Sequence, residues 1–341
     1  MNIVHVAGTK GKGSTCAYVD SVLRAHRETH GVPQKIGLYT SPHLIDVRER
    51  IRINTIPLSE ELFTKYFWEV WDALEQCAVS ENRDPLHKPV YFRFLTLMSF
   101  HVFLREEVDI AIYEVGVGGE YDSTNVVEKP IVAGITALGI DHVRVLGEAI
   151  GEIAWHKAGI IKAGCPAFTV TQEPDAMAVI EKRAREKNVN IVEVDINPAL
   201  HAVRITPDAD FQRSNASIAV ELAKTALSKF DKDFNPRNDS LTPEFVRGLE
   251  TVIWRGRCEL KFEQGRAWYL DGAHTVDSIR VAAAWFGGES RRRYGFFLVS
   301  GILLTWEFGK TGTTHTHLQS TSSARSVCFP RGLAPLRVRG L

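Results

Sequence analysis

The sequence predicts an α/β fold with a parallel sheet covered on both faces. Two observations predict it. Over the first 200 or so residues, short apolar runs alternate with longer amphipathic ones, the pattern of strands joined by crossover helices. The first apolar run, Asn2-Ile3-Val4-His5-Val6-Ala7, passes directly into the glycine-rich turn Gly8-Thr9-Lys10-Gly11-Lys12-Gly13-Ser14, which opens a helix.

Residues 3–7 read as a strand, 14–26 as the helix after it, and 35–39 as a second strand. Residues 59–76 read as a helix. Ser59 is placed to cap it, Glu60 and Glu61 put negative charge in its first turn, and Leu62, Tyr66, Val70 and Ala73 recur at helical spacing. A strongly apolar helix is expected over 91–104, buried strands over 109–115 and 131–138, a polar-faced helix over 171–187 and a strand over 190–194. The stretch 195–210 has no clear period and reads as a small hairpin or a linker; 214–230 is a helix. Residues 231–243 are polar and turn-rich, which puts a domain boundary near 241–251, and strands and helices restart over 252–286. No internal repeat is present.

Composition bounds the reading. The chain has 341 residues, 44% hydrophobic and 24% charged, ordinary for a globular protein and long enough to bury a large core without staples. Five cysteines, at 16, 77, 165, 258 and 328, form no Cys-x-x-Cys pair, which argues against a disulfide framework or zinc ribbon and for a reducing compartment. No run reaches the roughly 18 apolar residues of a membrane span. The chain opens straight into a strand, so no signal or transit peptide is expected and the location expected is cytoplasmic, or mitochondrial if a leader precedes this sequence. The net charge of zero divides unevenly: from Arg291 on there are eight Lys/Arg against one acid, Glu307, leaving +7 there and −7 over residues 1–290. That basic stretch lacks interleaved aromatics and any recognisable module, so nucleic acid is not an expected partner. Residues 310–326 are rich in Thr, Ser and His with no apolar period, and the expectation is a disordered or, preferably, a non-native tail.

Four segments carry chemistry. The turn at 8–14 follows a strand and precedes a helix, as a phosphate loop must; its glycines let backbone N–H groups approach an anion, Lys12 is suited to reach outer phosphates, and Ser14 stands at the helix start. The spacing departs from the strict G-x-x-x-x-G-K-[ST] form, and a tight turn without ligand is the plainer alternative. Glu114 ends the apolar run before Gly116, Gly118 and Gly119, where open α/β sheets place ligands; alone it would be a salt-bridged core acid, but beside phosphates its natural role is to hold Mg²⁺. His142, in Gly139-Ile140-Asp141-His142, follows a further strand, so a metal or phosphate contact competes with an ordinary surface histidine. Lys157 lies near a helix end stopped by Gly159, and spacing alone would leave it a solvated lysine.

Together these segments, with Thr40-Ser41-Pro42-His43-Leu44, Arg48-Glu49-Arg50-Ile51, Trp254-Arg255-Gly256-Arg257 and Leu270-Asp271-Gly272-Ala273-His274-Thr275, resemble folylpolyglutamate synthase of the Mur ligase superfamily, in its eukaryotic form, from residue 2 to about 287. The resemblance implies a parallel-sheet phosphate-loop ATPase domain of Mur ligase type over 1–245, the start of a smaller Rossmann-like ligase domain over 250–288, and an atypical basic tail over 289–341. It implies a tetrahydrofolate:L-glutamate γ-ligase. ATP phosphorylates the terminal γ-carboxylate of a reduced folate, the amine of L-glutamate attacks the acyl phosphate, and phosphate leaves. Gly11, Lys12, Gly13 and Ser14 would then bind ATP, with Arg257 and Asp271 from the second domain. Ser41, Glu114 and His142 would hold Mg²⁺, and a monovalent cation is a further candidate. Lys157, carbamylated in this family, and His142 would be catalytic. Ser41, Pro42, His43 and Arg50 would face the folate. Gln212 and Asn215 would line the nucleotide edge. Reduced folate, L-glutamate and ATP are the implied partners, and a monomer is expected.

The sequence also departs from the pattern. Arg255 stands where the family usually has Pro, the helical segment expected before the first strand is missing, and the resemblance stops near Gly287-Gly288. Truncation at both ends is therefore expected, with weak or no ligase activity. A dihydrofolate synthase would use the same ATP and metal residues, and an ATP-binding fragment without turnover stands as the reading from a different class. A cell-wall Mur ligase fits Ser41-Pro42-His43 poorly, and no base-specificity motif supports a GTPase-like switch.

Overall fold

The computed structural model describes residues 1–235, 241–263, 266–273 and 276–294. Strand β1 (Asn2–Ala7) leads through the glycine turn into helix α1 (Lys12–His30). The helix starts two residues before the apolar period does, because Gly11, at φ 86°, takes the N-cap and admits Lys12 and Gly13 to the first turn. It ends at Gly31, whose left-handed backbone donates its N–H to the Arg27 carbonyl at 2.8 Å. Strand β2 (Ile36–Tyr39) is followed by a 3₁₀ turn (Val47–Arg50) and two short strands, β3 (Ile51–Ile53) and β4 (Ile56–Pro57). Helix α2 (Glu60–Ser80) is capped by the Ser59 hydroxyl, which accepts from the Leu62 N–H at 3.2 Å, and α3 (Tyr91–Arg105) follows.

Next come β5 (Ile110–Glu114), β6 (Val132–Ile135), the single turn α4 (Val143–Leu146), α5 (Ile150–Ala158), β7 (Ala167–Val170), α6 (Pro174–Glu186) and β8 (Ile191–Val194). Residues 195–210 form neither hairpin nor strand; they hold a 3₁₀ turn (Pro198–Ala202) that brings Leu200 and Val203 into the core. After α7 (Asp210–Phe230), the stretch where a domain boundary was expected, 241–251, contains α8 (Pro243–Glu250), started by Thr242 as cap and Pro243 in the first turn. Helix α8 packs tightly on α1. The Ser21 hydroxyl donates to the Gly248 carbonyl at 2.7 Å, and a Cβ on Gly248 would come 2.6 Å from the Val22 Cα. Strands β9 (Glu259–Glu263) and β10 (Arg266–Leu270) pair antiparallel as a separate sheet, and α9 (Val276–Tyr294) runs through the point where the resemblance ends. Residues 295–341, most of the expected atypical tail, lie outside the described residues.

The main sheet has eight strands in the order β4-β3-β2-β5-β1-β6-β7-β8. Strands β2, β5, β1, β6, β7 and β8 are parallel; β3 and β4 add an antiparallel edge that the alternation did not foreshadow. Side chains of β1 alternate between the faces. Val4 and Val6 join the core under α1, α7 and α8, while Ile3 packs toward α2 and α3 and Ala7 toward α5 and α6. The chain winds out to β2, returns to β5 beside β1, then crosses to β6 on the other flank. The C-terminal ends of β5, β1 and β6 thus lie side by side at a topological switch point, where such sheets leave a crevice for ligands.

Candidate active site

The cradle at the end of β1 is shaped by sterics. Gly8 has φ 149°, and a Cβ there would collide with the Thr136 hydroxyl; a Cβ on Gly11 would collide with the Asn215 side-chain oxygen. Any other residue at either position would push the loop off its supports. Those supports come from the end of β6. The Ala137 carbonyl accepts from the N–H groups of Thr9 and Lys10 at 3.1 and 3.0 Å, and the Thr136 hydroxyl donates to the Lys10 carbonyl at 2.7 Å. Gln212 and Asn215, both buried on α7, close the other side, with the Asn215 amide donating to the Gln212 side chain at 3.0 Å. Gly11, Lys12, Gly13 and Ser14 therefore form the cap and first turn of α1, with free N–H groups and positive potential directed at the crevice.

Two lysines converge on this loop from different elements. Lys12 Nζ donates to the Gly8 carbonyl at 3.0 Å, and Lys157 Nζ, from the end of α5, donates to the same carbonyl at 2.8 Å. Lys157 is 3% exposed. Burial, then the charge of Lys12, pull its pKa down to about 7, while Asp141 and Asp122 partly offset them. The shift enlarges the uncharged, nucleophilic fraction of the amine at neutral pH.

Glu114, also buried, ends β5 next to the loop. Burial raises its pKa; Lys12, the Ser41 N–H, Arg257 and Arg50 act against that. One of its oxygens accepts from the Ser41 backbone N–H at 2.9 Å, which ties the Ser41 loop to the sheet. Arg50, buried at the end of the 3₁₀ turn, donates from Nε to His43 Nδ1 at 2.9 Å, and its guanidinium lies 5.4 Å from the Tyr91 ring centre. Pro42 is exposed beside them. Glu114 and Ser41 together present hard oxygen donors, which suit a divalent cation such as Mg²⁺.

The remaining expected residues are arranged less tightly. His142 is exposed, at φ 50°, and its side chain lies 3.9 Å from that of Asp141; no hydrogen bond joins it to Glu114 or Ser41. Among the described residues no cluster of three or more His, Cys, Asp or Glu side chains is assembled. Arg257 is exposed and donates to the Gly256 carbonyl at 3.3 Å, and its guanidinium occupies the space that a Cβ on Gly272 would need. Asp271 accepts from the N–H groups of Cys258 and Ala273 at 2.7 and 2.8 Å, so it braces the turn that carries Arg257.

Three residues to which the motifs assign no role support the site. Thr136 holds the cradle from below. Asp122 accepts from the N–H groups of Gly116 and Val117 at 3.1 and 3.0 Å and shapes the glycine loop after Glu114. Trp254 lies against Gly13, its ring 3.1 Å from where a Cβ would stand. Thr136 follows β6 directly, so a hydroxyl just beyond an apolar strand was the available signal for it. Trp254 stands in the motif Trp254-Arg255-Gly256-Arg257, but nothing local tied it to Gly13.

A parallel sheet whose switch point holds a glycine-rich cradle, two convergent lysines and a buried carboxylate defines the class: a phosphate-loop α/β protein. No family model matches the chain. Its sequence is 61% identical over 290 residues to the folylpolyglutamate synthase of Neurospora crassa, covering 85% of this chain and 55% of that protein. It is 49% identical over 295 residues to the folylpolyglutamate synthase of Saccharomyces cerevisiae, covering 84% and 53%. A solved folylpolyglutamate synthase (FPGS) complex with AMPPCP and folate superposes with a TM-score of 0.73 at 30% identity, covering 84% of this chain and 71% of that one. The chain belongs to the folylpolyglutamate synthase family and has its Mur-ligase type of fold. It spans about half the length of the curated relatives it matches.

Proposed function

We propose that this chain acts in ATP-dependent addition of L-glutamate to the γ-carboxylate of a reduced folate, through an acyl phosphate. The observation that carries the reading is the convergence of Lys12, Lys157 and Glu114 on the Gly8–Gly13 cradle at the switch point. The relatives' name and the AMPPCP–folate complex of an FPGS support both substrates.

In this reading the backbone N–H groups of Gly11, Gly13 and Ser14 bind ATP phosphates, and Lys12 exchanges its bond to Gly8 for phosphate oxygens. Glu114 and the Ser41 hydroxyl would hold Mg²⁺, with His142 as a further donor; the ion would supply charge that favours phosphoryl transfer. The uncharged fraction of Lys157 is the form able to add CO₂, and the resulting carbamate would turn an amine into an anionic oxygen donor. Arg50 and His43 face the folate side, where the guanidinium suits a carboxylate. Arg257, braced by Asp271, adds positive charge toward the nucleotide. The reaction is thus mostly positioning and electrostatics, as phosphoryl transfer to a carboxylate requires.

The test is direct. Purified chain with Mg²⁺, ATP, L-glutamate and tetrahydrofolate is assayed: glutamate-dependent ADP release and a folate heavier by one glutamyl residue would carry the proposal and overturn the expectation of weak or no activity drawn from the sequence. The same assay with dihydropteroate separates a dihydrofolate synthase. Nucleotide binding with neither product would reduce the proposal to an ATP-binding module.

A further inference from the structure

The loop over residues 41–46 carries Ser41 and His43 and lies outside the strands of the sheet. What holds it is the turn Val47–Arg50, whose three charged residues each do something different. Arg48 turns back on Asp46, with contacts at 3.1, 3.0 and 2.7 Å. Arg50 reaches further back, to His43, at 2.9 Å. Glu49, between them, accepts from three consecutive backbone N–H groups: Leu44 at 2.9 Å, Ile45 at 3.1 Å and Asp46 at 2.9 Å. Burial by itself would raise its pKa, but these three donors outweigh it, and the carboxyl sits below its ordinary value.

The same residue reaches the other side of the site. The Glu49 carbonyl accepts from Arg52 Nε at 2.9 Å, and the Arg52 guanidinium lies 5.3 Å from the centre of the Trp254 ring. Trp254 in turn abuts Gly13 of the cradle. Within the held loop, Leu44 packs on the Gly256 turn, its Cδ1 3.0 Å from where a Cβ would stand. One acidic side chain therefore fixes the loop that touches Glu114 through Ser41, while its backbone joins the residue stacked between cradle and linker.

We propose that Glu49 is a positioning residue for the substrate side of this site, setting the 41–46 loop so that Ser41 stays on Glu114 and Leu44 on the Gly256 turn. A carboxylate is required because only two acceptor oxygens can serve three converging N–H groups; an amide would turn an NH₂ toward one of them. The claim about substrate rests on the ligase reading above.

The experiment compares Glu49→Gln and Asp46→Asn with the unaltered 341-residue chain. Asp46 caps the same turn through the Arg48 N–H at 2.8 Å but touches no loop amide at 44 or 45. In hydrogen exchange, Glu49→Gln is expected to speed the amides of Leu44 and Ile45 about tenfold or more, with those of β1 unchanged. In steady-state turnover it is expected to raise the KM for tetrahydrofolate about tenfold while the KM for ATP stays within about twofold. Asp46→Asn should produce neither effect. Unchanged exchange at Leu44 and Ile45 would overturn the proposal. So would a looser loop with both KM values intact, or equal effects from Asp46→Asn, since either makes Glu49 a turn cap and nothing more. Failure of the ligase reading shows separately, as no glutamate-dependent turnover in the unaltered protein, and the exchange arm then decides on Glu49 by itself.

Discussion

The cradle at residues 8–14 and the loop at residues 41–46 flank the same carboxylate, and they are held by opposite means. The cradle is held by shape. Missing Cβ atoms at Gly8 and Gly11 let it seat on Thr136 and Asn215, and strand and helix continue directly from its two ends. The loop is held by charge. Its amides are gathered on Glu49, Arg50 grips His43, and one backbone N–H anchors it to Glu114. A steric seat fails all at once when an atom is added. A charged clasp loosens in proportion to what is removed. The difference suits the two tasks proposed: a fixed anion site for every turnover, and an adjustable wall for a bulky substrate.

Substitutions test that contrast, with the largest effect expected in the cradle. Gly11→Ala meets both a left-handed backbone and the Asn215 side chain, and should cost about 3 kcal/mol of stability together with nearly all AMPPCP binding, read by thermal unfolding and titration. Lys157→Met removes the second lysine from Gly8 without opening the seat. On the proposed function, kcat/KM is expected to fall by roughly two orders of magnitude or more, while the unfolding midpoint holds or rises because a buried amine has gone.

A third prediction concerns the helix beneath the cradle. Asp20 on α1 is buried, with one side-chain oxygen unpartnered, and burial raises its pKa to about 7 against partial relief from Arg52 and Arg24. The folded protein therefore binds more protons there than the unfolded chain between about pH 4 and 7. Stability from this group falls as pH rises through that window, by an amount on the order of 4 kcal/mol for the full shift. Asp20→Asn should flatten that slope and recover part of the loss above pH 7, as followed by denaturant unfolding across pH. The smallest effect is expected in the loop: Arg50→Lys keeps the charge but loses the Nε–H bond to His43 and the planar contact with Tyr91. It should raise the tetrahydrofolate KM about tenfold with less than about 1 kcal/mol change in stability.

Much of the fold was legible in the sequence. The apolar runs located most of the parallel strands, and Ser59 caps α2 as its position implied. Elements were missed where the stabilising partners are distant. Strand β7 spans four residues and is a strand because it is flanked by β6 and β8; β3 and β4 are three and two residues long and exist as the edge of β2. Helix α8 falls where a domain boundary was expected, and it packs on α1 at a close approach that Gly248 allows. Within the site, the cradle residues were readable from strand, glycines and lysine. The supporting roles of Thr136, Asp122 and Glu49 were not, because each acts on backbone groups brought to it by the fold.

The sequence by itself determined a strand–turn–helix able to bind phosphate, a carboxylate at a strand end and the order of the elements, since these depend on neighbours a few residues away. Only the tertiary structure decided that Lys157 meets Lys12 on one carbonyl, that Ser41 bonds Glu114, and that Trp254 closes on Gly13. Those contacts join residues dozens to hundreds of positions apart. They arise because β5 and β6 flank β1, an arrangement set by how the whole sheet buries its two faces and not by any local period.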